Sequence, residues 1–200
     1  MKNDVRQPQQ ERSIEKKNKI IQAGYELFSE TGYYGTNTQE IAKRAGVSTG
    51  IVYGYFKDKR DILICALNIY LKKVSGALME VMGEIEDPVR IERTVARVVE
   101  TTIKIHSDNA KMHNTLHSLA ATDEIVRGEF LKLEEHITEK MTGRLNELGF
   151  SPANLAEKVH LAMNIVQSFA HEYVFDNHKY IDYAAMREIV VSVVSDLFKQ

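Results

Sequence analysis

The stretch Ala45-Gly46-Val47-Ser48-Thr49-Gly50-Ile51-Val52-Tyr53-Gly54-Tyr55-Phe56 decides the architecture of this 200-residue chain. Gly46 supplies a residue that turns left-handed at no steric cost, and Ser48 follows as the cap of a new helix with Val52 and Phe56 at i, i+4 on one face. Just upstream, Asn37 with Glu40 three residues on has the pattern of a capping box. It opens a helix whose inner face is Ile41, Ala42 and Ala45. The product is two short helices joined by a tight turn.

Working outward, Ile20, Ile21, Gly24, Leu27 and Phe28 keep helical spacing from Lys16, and Gly32 is a C-terminal stop. After the pair, Asp58 with Asp61 caps a long helix reaching about Met82 through Ile62, Leu63, Ala66, Leu67, Ile69, Tyr70 and Val74. Its apolar surface is too wide for one neighbour, so it joins head to body. Asp87-Pro88 and Ser151-Pro152 read as caps followed by proline at the first helical position. The spacing predicts helices over about 88–106, 109–120, 123–148 (stopped by Gly149), 152–176 and 181–198. With only three prolines, the chain reads as all-α with about nine helices. Its expected parts are a mobile arm over 1–14, a three-helix head over 15–62 and a helical body over 63–200. The arm carries Arg6 and Arg12, cations able to meet a polyanion.

Net charge is −2, but it is uneven: eleven basic residues against seven carboxylates leave the first 60 residues at +4 and the rest at −6. A basic head meets a polyanion more readily than an acidic body does. Cys65 is the single cysteine, which excludes an intrachain disulfide or a cysteine zinc site and fits a reducing, cytoplasmic setting; packing as a small apolar residue is its expected role. The first 19 residues have no apolar core of a leader, and no run approaches the ~18 apolar residues that span a bilayer. No membrane partner is expected.

Two short helices in this arrangement, with a helix on either side, form a helix-turn-helix whose second helix faces outward, and the major groove of duplex DNA admits one α-helix. Gly50 and Gly54 each cost that helix roughly 1 kcal/mol relative to alanine. Close approach of the main chain to a phosphate backbone is one compensation; helix-on-helix packing is the other. Tyr53 and Tyr55 lie about 200° apart around the axis, so at least one is exposed and able to donate to a phosphate.

The run Gly35-Thr36-Asn37-Thr38-Gln39-Glu40-Ile41-Ala42-Lys43-Arg44-Ala45-Gly46-Val47-Ser48, then Thr49 to Phe56 and Lys57-Asp58-Lys59, resembles the DNA-binding head of the TetR family over about residues 16–63. The resemblance implies phosphate contacts at Thr38, Tyr55 and Lys59, with Gln39, Thr49, Gly50, Ile51 and Tyr53 facing bases beside the Ser48 cap. Many members carry a basic residue at the position of Thr49 and a bulky one at Gly54, which shifts the expected specificity toward DNA shape and backbone contacts. It further implies a homodimeric transcription repressor on a near-palindromic double-stranded operator, released by a small-molecule effector that shifts the dimer to a non-binding state.

For the effector, Thr101, Thr102, His106, His113, His117, His136 and Gln167 are polar positions within apolar helices. His113 and His117 share a face at i, i+4, but without a third ligand no metal is expected, and no cofactor either. For the dimer, Phe169, Tyr173, Val190, Val194 and Leu197 belong to two unusually apolar last helices that can build half of a four-helix interface or pack within one chain. Nothing resembles an enzyme: there is no phosphate-cradling loop, no serine elbow and no acid–base pair. The alternative is a member of the same fold that needs no ligand and organises DNA or docks a protein.

Overall fold

The computed structural model describes residues 7–86 and 88–199, with side chains from residue 11 onward. Nine α-helices and no strands occur among them: α1 (Gln7–Thr31), α2 (Thr38–Ala45), α3 (Thr49–Tyr55), α4 (Lys59–Gly83), α5 (Ile91–Asp108), α6 (Ala110–Ala120), α7 (Glu124–Glu147), α8 (Leu155–Phe175) and α9 (Tyr183–Asp196). Two compact units result, one of residues 7–70 with Lys111–Arg127, the other of Leu71–Ala110 with residues 128–199. The first is larger than the 15–62 head expected from sequence, because α6 and the start of α4 pack into it.

In the first unit, α1 lays Ile20, Ala23, Leu27 and Phe28 against Ile41 and Ala42 of α2, Val52 of α3 and Ile62, Leu63 and Ala66 of α4, all buried. Gly24 lets α1 and α4 meet: an added Cβ there would lie 2.5 Å from Ile62 Cγ2. From α6, Met112 and Leu116 are fully buried, His113 Nδ1 shares a 2.6 Å hydrogen bond with the Tyr70 hydroxyl, and Lys111 donates to the Glu30 carbonyl. Burial pushes the Tyr70 hydroxyl well above the usual tyrosine range. In the second unit, α5 packs on α8 and α9, burying Val95, Val99, Val159, Val166, Phe169, Val190 and Val194.

Asp123 caps α7 through Oδ1, which accepts from Ile125 N at 3.0 Å and Val126 N at 3.3 Å. Its Oδ2 accepts from Arg60 Nε at 2.9 Å and Nη2 at 2.5 Å. The Arg60 hydrogen bond holds this carboxyl below the usual range. A depressed carboxyl stabilises the fold above its unfolded pKa of about 3.9, and that stabilisation is lost as pH falls through the lower folded value. Asp123→Ala is therefore expected to lower stability by about 1 kcal/mol, as loss of a cap does. Urea titrations at pH 7 and pH 3 check it: the deficit should shrink at the lower pH.

Several sequence expectations are corrected. Helix α1 begins at Gln7, inside the stretch expected to be an arm, because Pro8 falls in its first turn, where a missing N–H is harmless. Arg12 is exposed on α1; Arg6 lies outside the described residues, as does the expected Asp87 cap. Neither Pro88 nor Pro152 opens a helix. α5 starts at Ile91 after Arg90, and α8 at Leu155 after Asn154, whose φ of 57° makes the turn. Pro152 is buried instead. Cys65 is half-buried and free. Helix α4 is long and apolar enough, by length and composition, to cross a bilayer, against the expectation that no segment was. Its Ile62, Leu63, Ala66, Leu67, Val74 and Leu78 are buried within the protein, so it is accounted for as a core helix.

Candidate nucleic-acid interface

The turn between α2 and α3 is built by local chemistry. Asn37 Oδ1 accepts from Gln39 N and Glu40 N at 3.0 and 2.9 Å, while Glu40 Oε2 accepts from Asn37 N at 3.1 Å, which satisfies α2's orphan amides reciprocally. Gly46, with φ 68°, ends α2, and Val47 N donates to Ala42 O at 3.0 Å. This is a Schellman closure, which needs a residue at ease in the left-handed region. Ser48 Oγ then accepts from Ile51 N, at 3.4 Å, and α3 begins. Arg44 fastens α2 to α1 by pairing with Glu30 at 2.8 Å and Glu26 at 3.4 Å.

Val52 is the one residue of α3 that is fully buried, and Phe56 follows it into the core. The opposite side is open. Gly50, Tyr53 and Gly54 are exposed, Thr49, Ile51 and Tyr55 half-buried, and Gln39 and Ser48 exposed beside them. A Cβ on Gly54 would meet nothing within 4 Å, which removes helix packing as the reason for that glycine. Tyr53 is 56 % exposed, and its hydroxyl bonds Thr38 Oγ1 at 3.0 Å, tying α3 to α2. The Tyr55 hydroxyl bonds Ser13 Oγ of α1 at 2.9 Å.

Lys59 holds a different position from the one its free charge suggests. Its ammonium donates to the carbonyls of Tyr33 and Thr36 at 2.7 and 2.8 Å and sits 4.2 Å from the Tyr33 ring centroid. Burial moves its pKa down. Lys59 thus closes the α1–α2 loop with two of its three protons and has one left for an anion. Two other cations were not singled out from the sequence: Lys43 and Lys57 are exposed and form no ion pair with a described residue. Their only sequence signal was the basic excess of the head.

The model of bacterial regulatory proteins, tetR family, matches residues 20–65, which is the span of this helix-turn-helix and its supports. Residues 20–65 thus match the DNA-binding head of the TetR family. The fatty acid metabolism regulator protein of Bacillus subtilis (strain 168) is 30 % identical over 130 residues, covering 64 % of this chain and 62 % of that protein. The transcriptional regulator HbdR of Aromatoleum sp. (strain CIB) is 28 % identical over 178 residues, covering 88 % and 76 %. In structure, a TetR-family regulator from Mesorhizobium loti superposes with a TM-score of 0.73 at 20 % identity, covering 93 % of this chain and 96 % of that one. FadR from Bacillus subtilis, in complex with stearoyl-CoA, superposes with 0.61 at 22 % identity, covering 88 % and 96 %. The two superpositions show the all-helical fold.

The residues expected to meet an effector are divided between the two units. His113 and His117 belong to the first unit, and Thr102, His106 and Gln167 to the second. Thr102 and His106 are buried and serve α5 itself: Thr102 Oγ1 donates to Val98 O and His106 Nδ1 to Thr102 O, both at 2.8 Å. Gln167 is half-buried. His117 is exposed and its ring stacks 4.1 Å from that of His113, and no group of three metal-ligating side chains occurs among the described residues. The second unit does hold an apolar cavity of about 40 Å³, bounded by Val95, Val98, Met141, Met163, Val166 and Phe198. None of these polar candidates lines it. Of the expected dimer residues, Phe169, Val190 and Val194 are 3, 8 and 1 % exposed, so they build this chain's own core; Tyr173 and Leu197 retain partial exposure. The exposed large apolar side chains of α8 and α9 are Leu161, Tyr173, Ile189 and Val193.

Proposed function

We propose that the chain is a sequence-specific transcription repressor of the cytoplasm that binds a near-palindromic operator as a homodimer and leaves it when a small effector enters the second unit. The observation that carries this is the bare outer side of α3. Gly50, Tyr53 and Gly54 face outward with no covering side chain, Gln39 stands at the start of α2, and Lys43 and Lys57 flank them with uncompensated charge. A groove-reading helix has that form, with base-facing positions in its first turns and phosphate donors around it. Thr38, Tyr55 and Lys59 then act as much on the geometry of the pair as on phosphates.

One seven-residue helix reads few base pairs, so a second copy is needed, and two heads read half-sites one helical turn or a little more apart. Leu161, Ile189 and Val193 offer α8 and α9 as the isologous surface for that copy. Helix α4 contributes to both units and is the lever by which an effector moves the equilibrium. One relative is a regulator of fatty acid metabolism and one solved neighbour holds stearoyl-CoA, which makes acyl compounds the first class to try.

Selection from a random duplex pool with the purified full chain tests the reading. Recovery of a palindromic motif, with log affinity falling linearly in log salt, is the expected result. Recovery of no sequence above a salt-sensitive background would replace it with a ligand-independent, DNA-organising protein.

A further inference from the structure

The loop between α1 and α2 folds around the Lys59 ammonium. Thr36, 3 % exposed, donates its hydroxyl to Gly32 O at 2.9 Å, and Gly35 keeps the turn tight, since a Cβ there would lie 2.6 Å from Thr31 O. So held, the Tyr33 and Thr36 carbonyls converge on Lys59 Nζ at 2.7 and 2.8 Å, with the Tyr33 ring centroid 4.2 Å away. Burial lowers the Lys59 pKa, and the field of Glu40 in the first turn of α2 acts against that, so the charge is answered within the head. The segment after Thr36 is the start of α2. Asn37 caps it, Thr38 Oγ1 bonds the Tyr53 hydroxyl of α3 at 3.0 Å, and Gln39 stands exposed beside them. One ammonium therefore sits at the root of a short path that ends on two side chains of the outer face.

We propose that Lys59 serves DNA binding as a positioning residue and not through its charge: by holding the Thr36 carbonyl it sets the start of α2, and with it Gln39 and Tyr53, for the base edges. This rests on the DNA-binding reading above and reassigns a residue that the TetR resemblance puts on a phosphate. A lysine kept for a phosphate carries its strongly hydrated ammonium on a flexible stem. Here two hydrogen bonds from a charged donor, stronger than neutral ones, fix the group, and a move to a phosphate would leave both carbonyls without that donor. Two substitutions separate the roles. Methionine keeps an unbranched, adaptable stem and donates nothing. Arginine keeps the charge and matches a phosphate better than lysine does, but its wider planar head displaces the loop that the ammonium fits.

The test uses the full chain as wild type, Lys59→Met, Lys59→Arg and Lys43→Gln. Each is titrated by fluorescence anisotropy with the selected operator and with an unrelated duplex of the same length, over a range of salt. Urea midpoints establish that each variant is folded at the assay temperature, and the ratio of operator to unrelated affinity, taken on one preparation, does not depend on the active fraction. Lys59→Met and Lys59→Arg should each lower that ratio at least about tenfold and leave the salt slope on the unrelated duplex at its wild-type value. Lys43→Gln, the charge control, should do the reverse, keeping the ratio while the slope becomes shallower by about 0.9 for each phosphate given up. A Lys59→Met slope that shallows as that of Lys43→Gln does, or a ratio that arginine restores, returns Lys59 to the phosphates and overturns the proposal. An unchanged ratio with only a lower urea midpoint makes its role structural and overturns it equally. Failure of the wild type to prefer any operator refutes the sequence-specific reading itself, before a variant is compared.

Discussion

Gly24→Val is expected to lower the stability of the first unit by about 3 kcal/mol, the upper end of what overpacking costs, and to remove DNA binding with it. A Cβ at Gly24 falls 2.5 Å from Ile62 Cγ2 and 3.5 Å from Phe28 Cε2, and both neighbours are 0 % exposed. Neither has solvent to move into. Valine adds two further carbons to a contact already closer than van der Waals approach, so α1 and α4 must separate, and these two helices carry most of the core under α3. Against a total stability of roughly 5–15 kcal/mol the loss is large. Urea midpoints measure it, with Gly76→Ala as the control. A Cβ at Gly76 meets nothing, and alanine should there raise stability by up to about 1 kcal/mol. A Gly24→Val protein with the wild-type midpoint would mean that Ile62 turns aside freely, and the close helix crossing would not be needed.

Most of the head was legible because its signals are local. Asn37 with Glu40, Gly46, Ser48, and Asp58 with Asp61 each act on backbone groups within four residues, and each stands where its residue type implies. Pro88 and Pro152 show how far such preferences reach: proline favours the first helical position, but Arg90 and Asn154 precede the actual starts. The second unit was legible as helices and not as a site. Its last helix is apolar on nearly every side, and sequence alone does not say which stripe turns inward. Val190 and Val194 do, while Ile189 and Val193, one residue earlier in each case, do not. Of the polar residues expected at an effector site, Thr102 and His106 bond within their own helix. A cavity lies where apolar packing is incomplete, and no residue type marks that. Lys59 is the instructive case in the head. Its partners are the carbonyls of Tyr33 and Thr36, more than twenty residues away, and a main-chain acceptor leaves no trace in the sequence.

Gly54→Ala is expected to make the protein more stable and a poorer binder of DNA. Glycine within a helix costs roughly 1 kcal/mol relative to alanine, and Gly54 lies inside α3 with open space where its Cβ would stand. Nothing among the described residues repays that cost. If the repayment comes from outside, through a phosphate backbone resting against the bare main chain, then a methyl group holds the backbone off, and the charge-assisted contacts around Lys43 and Lys57 lengthen together. Several such contacts weakened at once give a loss of at least about tenfold in operator affinity, or about 1.4 kcal/mol, against a gain in folding stability of about 1 kcal/mol. The opposite signs separate this from damage to the fold, which would lower both quantities. Thermal unfolding and fluorescence anisotropy on the selected operator, run on the same preparation, read the two effects. Higher stability with undiminished affinity would mean that DNA does not approach α3 at Gly54, and the contact face would then have to turn toward Gln39 and Thr49 at the helix starts.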